Sequence, residues 1–113
     1  MQFTSREATL TAVVCRVEGE ADHDTMHILD AALAKAVADA PAMLIIDLAP
    51  LTFCDSACLN SLLRAHHTAE AAGVWLILVG ASPQLLHLLA LTGTDEVFTL
   101  RPHLRATRPP RSE

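Results

Sequence analysis

The segment Cys54-Asp55-Ser56-Ala57-Cys58 holds the densest chemistry in this chain: a carboxylate, a hydroxyl and two thiols within five residues. It follows an apolar run, Met43-Leu44-Ile45-Ile46-Asp47-Leu48, and leads into a pattern with Leu59, Leu62, Leu63 and His66 on one helical face. A hydroxyl at the start of such a helix sits at the positive end of the dipole, on the rim of a sheet, within reach of a partner protein. A serine there can be phosphorylated and read out as charge. The segment suits a switch better than a catalyst, although an N-cap Asp followed by a first-turn Ser is also ordinary helix punctuation.

Other chemistries fit less well. Ser56 as a nucleophile would need a His oriented by a carboxylate. Asp55, its neighbour in sequence, cannot orient a His that activates the same Ser, and the chain has no Gly-x-Ser-x-Gly elbow. Glycine-rich phosphate loops of the Walker or dinucleotide type are absent from the sequence. A receiver domain phosphorylated on Asp47 would want paired acids after the first strand and a late Lys, but Lys35 is the only Lys and lies on the first helix. Cys54 and Cys58 with His23 and His27 offer four ligands of a type zinc accepts, yet structural zinc sites usually use tighter Cys pairs. The expectation is therefore no enzyme activity, no metal and no cofactor. Cys54 is expected as a small core hydrophobe. With Cys15 the cysteines number three, and free thiols are expected.

A chain of 113 residues suits one domain. With 51% hydrophobic residues and a mean hydropathy of +0.34 it is too apolar to be disordered. No apolar run approaches the ~18 residues of a membrane span and no signal segment opens the chain, so a cytoplasmic protein without membrane contact is expected. Arg101, Arg105, Arg108, Arg111 and Glu113 give the end of the chain +3, so residues 1–100 carry -8 of the formal -5. An acidic body argues against direct nucleic-acid binding. Residues 1–100 read as the domain, and 101–113 as a flexible, basic, Pro-rich tail.

Residues 2–6 suggest a short edge strand and Thr9–Glu18 a strand rich in β-branched residues. Gly19–Asp24 reads as a turn in which Asp22 or Asp24 caps a helix that runs to about Ala40. Met43–Leu48 and Val74–Val79 are apolar at successive positions, as in parallel strands covered by helices on either side. Trp75 is expected in core or edge packing, and His66-His67 at the boundary between core and solvent. A helix from about Ser56 ends at Ala72 before Gly73; another opens at Ser82-Pro83 and ends near Leu91. Val97–Leu100 closes the pattern as a strand. The fold class is α/β: a mixed, mostly parallel sheet of four or five strands flanked by three or four helices. Its loops at Gly19–Asp24, Pro50–Ser56 and Gly80–Pro83 all follow strand carboxyl ends and should meet on one edge.

Three segments carry a family resemblance. Val17-Glu18-Gly19-Glu20-Ala21-Asp22 resembles an apolar-x-Gly-Glu-Leu-Asp turn. Ile46 to Ser56 resembles an Asp-Leu-x-x-Leu-x-Phe-x-Asp-Ser segment. Leu78-Val79-Gly80-Ala81-Ser82-Pro83, followed by Leu91-Thr92-Gly93, resembles a third block. In this order and spacing they resemble STAS domains of the anti-sigma factor antagonist type, over about Thr9 to Leu100. The resemblance implies a partner-switching protein. An anti-sigma factor with Ser-kinase activity would phosphorylate Ser56, a PP2C-type phosphatase would reset it, and the unmodified form would bind the anti-sigma factor and free a sigma factor. It implies partner contacts at Asp22, His23, Asp55, Leu59, Asn60 and Ser82. The family usually has Ser or Thr and then Gly after the acceptor, whereas Ala57 and Cys58 stand here, and its C-terminal helix is replaced by a Pro-broken segment. A STAS scaffold subunit of a signalling or transport-accessory complex, never phosphorylated, is the alternative.

Overall fold

The computed structural model describes residues 4–8, 12–21, 25–40 and 42–102. Along the chain run β1 (Thr4–Ala8), β2 (Ala12–Val17), β3 (Gly19–Ala21), α1 (Met26–Asp39), β4 (Met43–Asp47), β5 (Leu51–Cys54), α2 (Ser56–Ala71), β6 (Trp75–Val79), α3 (Pro83–Thr92), a 3-10 turn (Thr94–Glu96) and β7 (Thr99–Arg101). Five strands form one sheet in the order β1-β2-β4-β6-β7. Only the edge pair β1–β2 is antiparallel; β2–β4, β4–β6 and β6–β7 are parallel. This is the mixed, mostly parallel α/β architecture expected from the alternation of elements.

From β2 onward each crossover steps to the next strand in the same direction. Right-handed crossovers that never reverse place their helices on the same face of a sheet. Accordingly Leu29, Leu33 and Val37 of α1, Leu59, Leu62 and Ala65 of α2, and Leu85 and Leu89 of α3 join one core with Val13, Cys15, Leu44, Ile46, Leu76 and Leu78. The alternate strand positions Ala12, Met43, Ile45, Ile77 and Val79 form a second cluster, to which no helix among the described residues contributes. Where helices on both faces of the strands were expected, the helices among the described residues all pack on one face. Apolar residues at successive strand positions show that both faces are buried, but not what covers each.

Helix ends follow local chemistry. α2 begins after Asp55, and α3 after Ser82, whose Oγ accepts the Leu85 N–H at 3.1 Å with Pro83 at the first helical position. Before α1 stands Thr25, which makes no side-chain capping bond. Asp22 and Asp24, the expected caps, lie outside the described residues.

Two segments expected as turn and loop contain short strands instead. β3 and β5 pair in parallel as a separate two-stranded sheet, Gly19 opposite Leu51 and Ala21 opposite Cys54. At three and four residues each is too short to show a period, and each exists through the other's backbone. Trp75, at the start of the interior strand β6, is 47% exposed and donates its indole N–H to Thr99 Oγ1 at 3.3 Å, an exposed strand end rather than a core position. His66 is half-buried, edge-on to the Phe98 ring at 5.7 Å. Arg101 ends β7, and its carbonyl accepts the Gly80 N–H at 3.1 Å. Residues 103–113, the rest of the expected tail, lie outside the described residues.

Candidate functional site

The site is built outward from the carboxyl end of β4. Asp47 is 7% exposed; its Oδ2 accepts from Arg16 Nε at 3.1 Å and its Oδ1 from the Ala49 N–H at 3.0 Å. The Leu48 N–H donates to Val79 O at 2.8 Å, and the Leu51 N–H returns to Leu48 O at 3.0 Å, closing a tight turn. With both oxygens engaged and little exposure, Asp47 anchors this turn and does not face solvent as a receiver aspartate must.

The other two loops lock onto this turn. Thr52 Oγ1 donates to Gly19 O at 2.9 Å, and Gln84 Nε2 donates to Cys54 O at 2.9 Å. Gly80, at φ +70, passes so close to Ala49 that a Cβ would lie 2.9 Å from the Ala49 Cβ and 3.0 Å from its backbone N. Only glycine fits that approach. The described parts of the three loops therefore meet on one edge, as their positions after strand ends imply.

Ser56 stands on this edge as the first residue of α2, and it is exposed. The preceding Asp55 has extended backbone (φ -99, ψ -169), and its Oδ1 accepts the Cys58 N–H at 3.1 Å. Its carbonyl receives the first helical bond, from the Leu59 N–H at 3.0 Å. Asp55 is thus an N-cap that satisfies an orphan donor, and Ser56 projects from a braced helix start.

The remaining candidates divide. Asn60 is exposed one turn along α2, and Ser82 is partly exposed with its hydroxyl engaged in capping α3. Leu59, expected as a partly exposed contact, is 3% exposed and packs in the core, so its side chain is corrected from the partner surface to the interior. One position per turn separates the two fates, because the edge of the helix's apolar stripe falls between Leu59 and Asn60. Asp22 and His23 lie outside the described residues.

Sequence reading missed two features. Cys54 and Cys58 are joined in a disulfide with Cα atoms 5.3 Å apart, correcting the expectation of free thiols; it occupies both sulfurs that a zinc site would have used. Cys15 lies outside this pair, buried in β2. The Cys-x3-Cys spacing was the available signal, but it equally suits thiols or ligands until the backbone brings the residues together. Gln84 was also missed, although a polar amide just after Pro83 places it in the first turn of a rim helix. A hollow of about 230 Å³ between α1 and α2, lined by Asp30, Ser61 and Arg64 among others, does not include Ser56. Among the described residues no helix is long and apolar enough to cross a membrane.

The family model described as Mlab, STAS domain, matches residues 4–102. The structure is similar to an anti-sigma factor antagonist from Mycobacterium paratuberculosis, with 31% identity, TM-score 0.81, and coverage of 90% of this chain and 86% of that one. It is similar to the phosphorylated form of SpoIIAA, a Bacillus cell fate determinant, with 25% identity, TM-score 0.67, and coverage of 88% and 91%. The unphosphorylated form of the anti-sigma factor antagonist SpoIIAA shares the fold at 23% identity and TM-score 0.69, with 90% of each chain covered. No curated protein matches the chain in sequence. A family match over nearly the whole described length, together with 31% identity to a known anti-sigma factor antagonist over 90% of the chain, makes this chain a member of the STAS domain family of anti-sigma factor antagonists.

Proposed function

We propose that this protein is a cytoplasmic, non-catalytic anti-sigma factor antagonist that regulates transcription by partner switching. Unmodified, it binds an anti-sigma factor with Ser-kinase activity and releases a sigma factor. Phosphorylation at Ser56 ends that binding, and a PP2C-type phosphatase restores it. The observation that carries this reading is the exposed Ser56 at the start of α2, beside the strand-end loops that contact one another on this edge. The likeness to SpoIIAA, whose phosphorylated form is a known structure, supports it.

A phosphoserine adds roughly -1.5 to -2 charge. The helix N-terminus favours that charge by only ~0.3–1 kcal/mol. In a docked interface the same charge must be desolvated beside Asp55, which costs several kcal/mol. A net penalty of about 3–4 kcal/mol weakens binding a few hundred-fold. Modification then turns docking off while the fold survives.

The test is incubation with the anti-sigma kinase and ATP, followed by mass spectrometry of the Ser56 peptide and a binding titration. Phosphate on Ser56, with Ser56→Asp losing affinity by about a hundred-fold or more and Ser56→Ala keeping it, is expected. Phosphate at another residue, or equal binding by Ser56→Asp, refutes the switch.

A second reading takes its support from the Mlab description of the matching family model and from Cys58 where small residues usually follow the acceptor. In it the same edge docks a constant partner as a scaffold subunit, and Ser56 stays unmodified. An obligate complex recovered on size exclusion, with no phosphate in cells, favours it.

A further inference from the structure

We propose that Cys54 and Cys58 form a redox-modification site whose state sets how far the segment carrying Ser56 can open. The bridge links the last residue of β5 to the first turn of α2, with Ser56 midway between its ends. It holds the two Cα atoms 5.3 Å apart, whereas four residues extended would span ~13 Å. While the bridge stands, the acceptor segment cannot straighten into another protein's cleft.

Reduction need not unfold the domain. A loop this short constrains little of the unfolded chain. The segment also keeps three non-covalent holds: the Asp55 cap, the bond from Gln84 to Cys54 O, and the β3–β5 pairing. What reduction removes is the covalent link between Cys54 and Cys58, which keeps the two ends of the segment together even when the first turn of α2 frays. Helix ends and rim loops already open at low cost, so the unbridged segment samples extended forms.

The reductant is a dithiol. Its thiolate attacks one sulfur of the bridge, forming a mixed disulfide and releasing one cysteine as thiolate. Its second thiol then displaces the other cysteine. The bridge gains two electrons and two protons, and the dithiol becomes a disulfide. Cys54 and Cys58 are 2% and 1% exposed, so attack requires the helix start to open first. Disulfides in reducing compartments are characteristically transient and regulatory, in keeping with such a site. Cys15, buried at 0% in β2, serves as an internal reference.

The wild-type protein carries the test. It is equilibrated across a series of reduced-to-oxidised dithiothreitol ratios, quenched in acid, labelled under denaturing conditions with N-ethylmaleimide, and mapped by peptide mass. Cys54 and Cys58 should gain label together as the ratio rises, with Cys15 labelled throughout. Label on all three at every ratio overturns the site. In parallel, amide hydrogen exchange over residues 55–60 should be about tenfold faster in the reduced protein, with α1 and α3 unchanged. Equal exchange in the two forms overturns the control of opening.

The link to phosphorylation rests on the proposed function, and a third measurement separates the two. Phosphate transfer by the anti-sigma kinase should be about tenfold faster on the reduced form. Equal transfer to both forms overturns the gate and leaves the Ser56 switch standing. No transfer to either form, with exchange still responding to reduction, overturns the switch and leaves the redox site.

Discussion

Gln84 and Cys54, thirty residues apart, are joined by a 2.9 Å bond from the side-chain amide of one to the backbone carbonyl of the other. It ties the first turn of α3 to the strand end that presents Ser56, so two of the three rim loops are joined by a side-chain bond. The third is held by Thr52 and by the β3–β5 pairing.

Gln84→Ala removes the tie without touching the core. The expected loss is about 0.5–1.5 kcal/mol in urea unfolding, the range for one neutral hydrogen bond. Hydrogen exchange should quicken over residues 54–60 and not in α1. An unchanged midpoint together with unchanged exchange would show that the bond contributes nothing in solution.

Asp55→Ala removes the acceptor for the Cys58 N–H and should cost about 1 kcal/mol, whereas Asp55→Asn keeps a capping oxygen and should cost a few tenths. Denaturant titration of the pair separates the cap from the charge. Equal losses in both would assign the effect to charge instead.

Gly80→Ala and Gly93→Ala differ although both glycines have positive φ, +70 and +74. Ala at Gly93 meets nothing within 4 Å and should cost about 1–2 kcal/mol for the left-handed backbone alone. At Gly80 the added Cβ collides with Ala49, so the loss should be larger by about 1 kcal/mol or more. Thermal melts of the two variants check the order, and equal melting temperatures would contradict it.

Leu59→Ala should cost about 2–5 kcal/mol, as deletions from a packed core do. Asn60→Ala should stay within about 0.5 kcal/mol and lower partner affinity without lowering stability. Unfolding and binding measured on both variants distinguish interior from interface. A stable Leu59→Ala protein that binds poorly would return Leu59 to the surface.

Much of this arrangement could be read from neighbouring residues. Asp55 before Ser56, Ser82-Pro83, and Gly93 after Thr92 mark helix ends because capping acts within three or four residues of chain. Met43–Asp47 and Trp75–Val79 are recognisable strands because apolar β-rich runs of that length pack between layers. The placing of Ser56 at an exposed helix start on the rim follows from those two kinds of local signal.

Features that join distant residues were not readable in this way. β3 and β5 each consist of a few residues without periodicity and become strands only beside one another. Leu59 and Asn60 differ in fate by the rotation of α2 against the sheet. The covering of one face by α1, α2 and α3 depends on strand order, which no segment states by itself.

Local composition thus set where α2 and α3 begin and end, the course of β4 and β6, the α/β class, and the hydroxyl at the head of α2, since backbone bonding and capping are short-range. The path of the chain in space settled the joining of Cys54 to Cys58, the crowding of Gly80 on Ala49, the tie from Gln84, and the burial of Leu59. These are contacts whose free energy depends on distances the linear order does not contain.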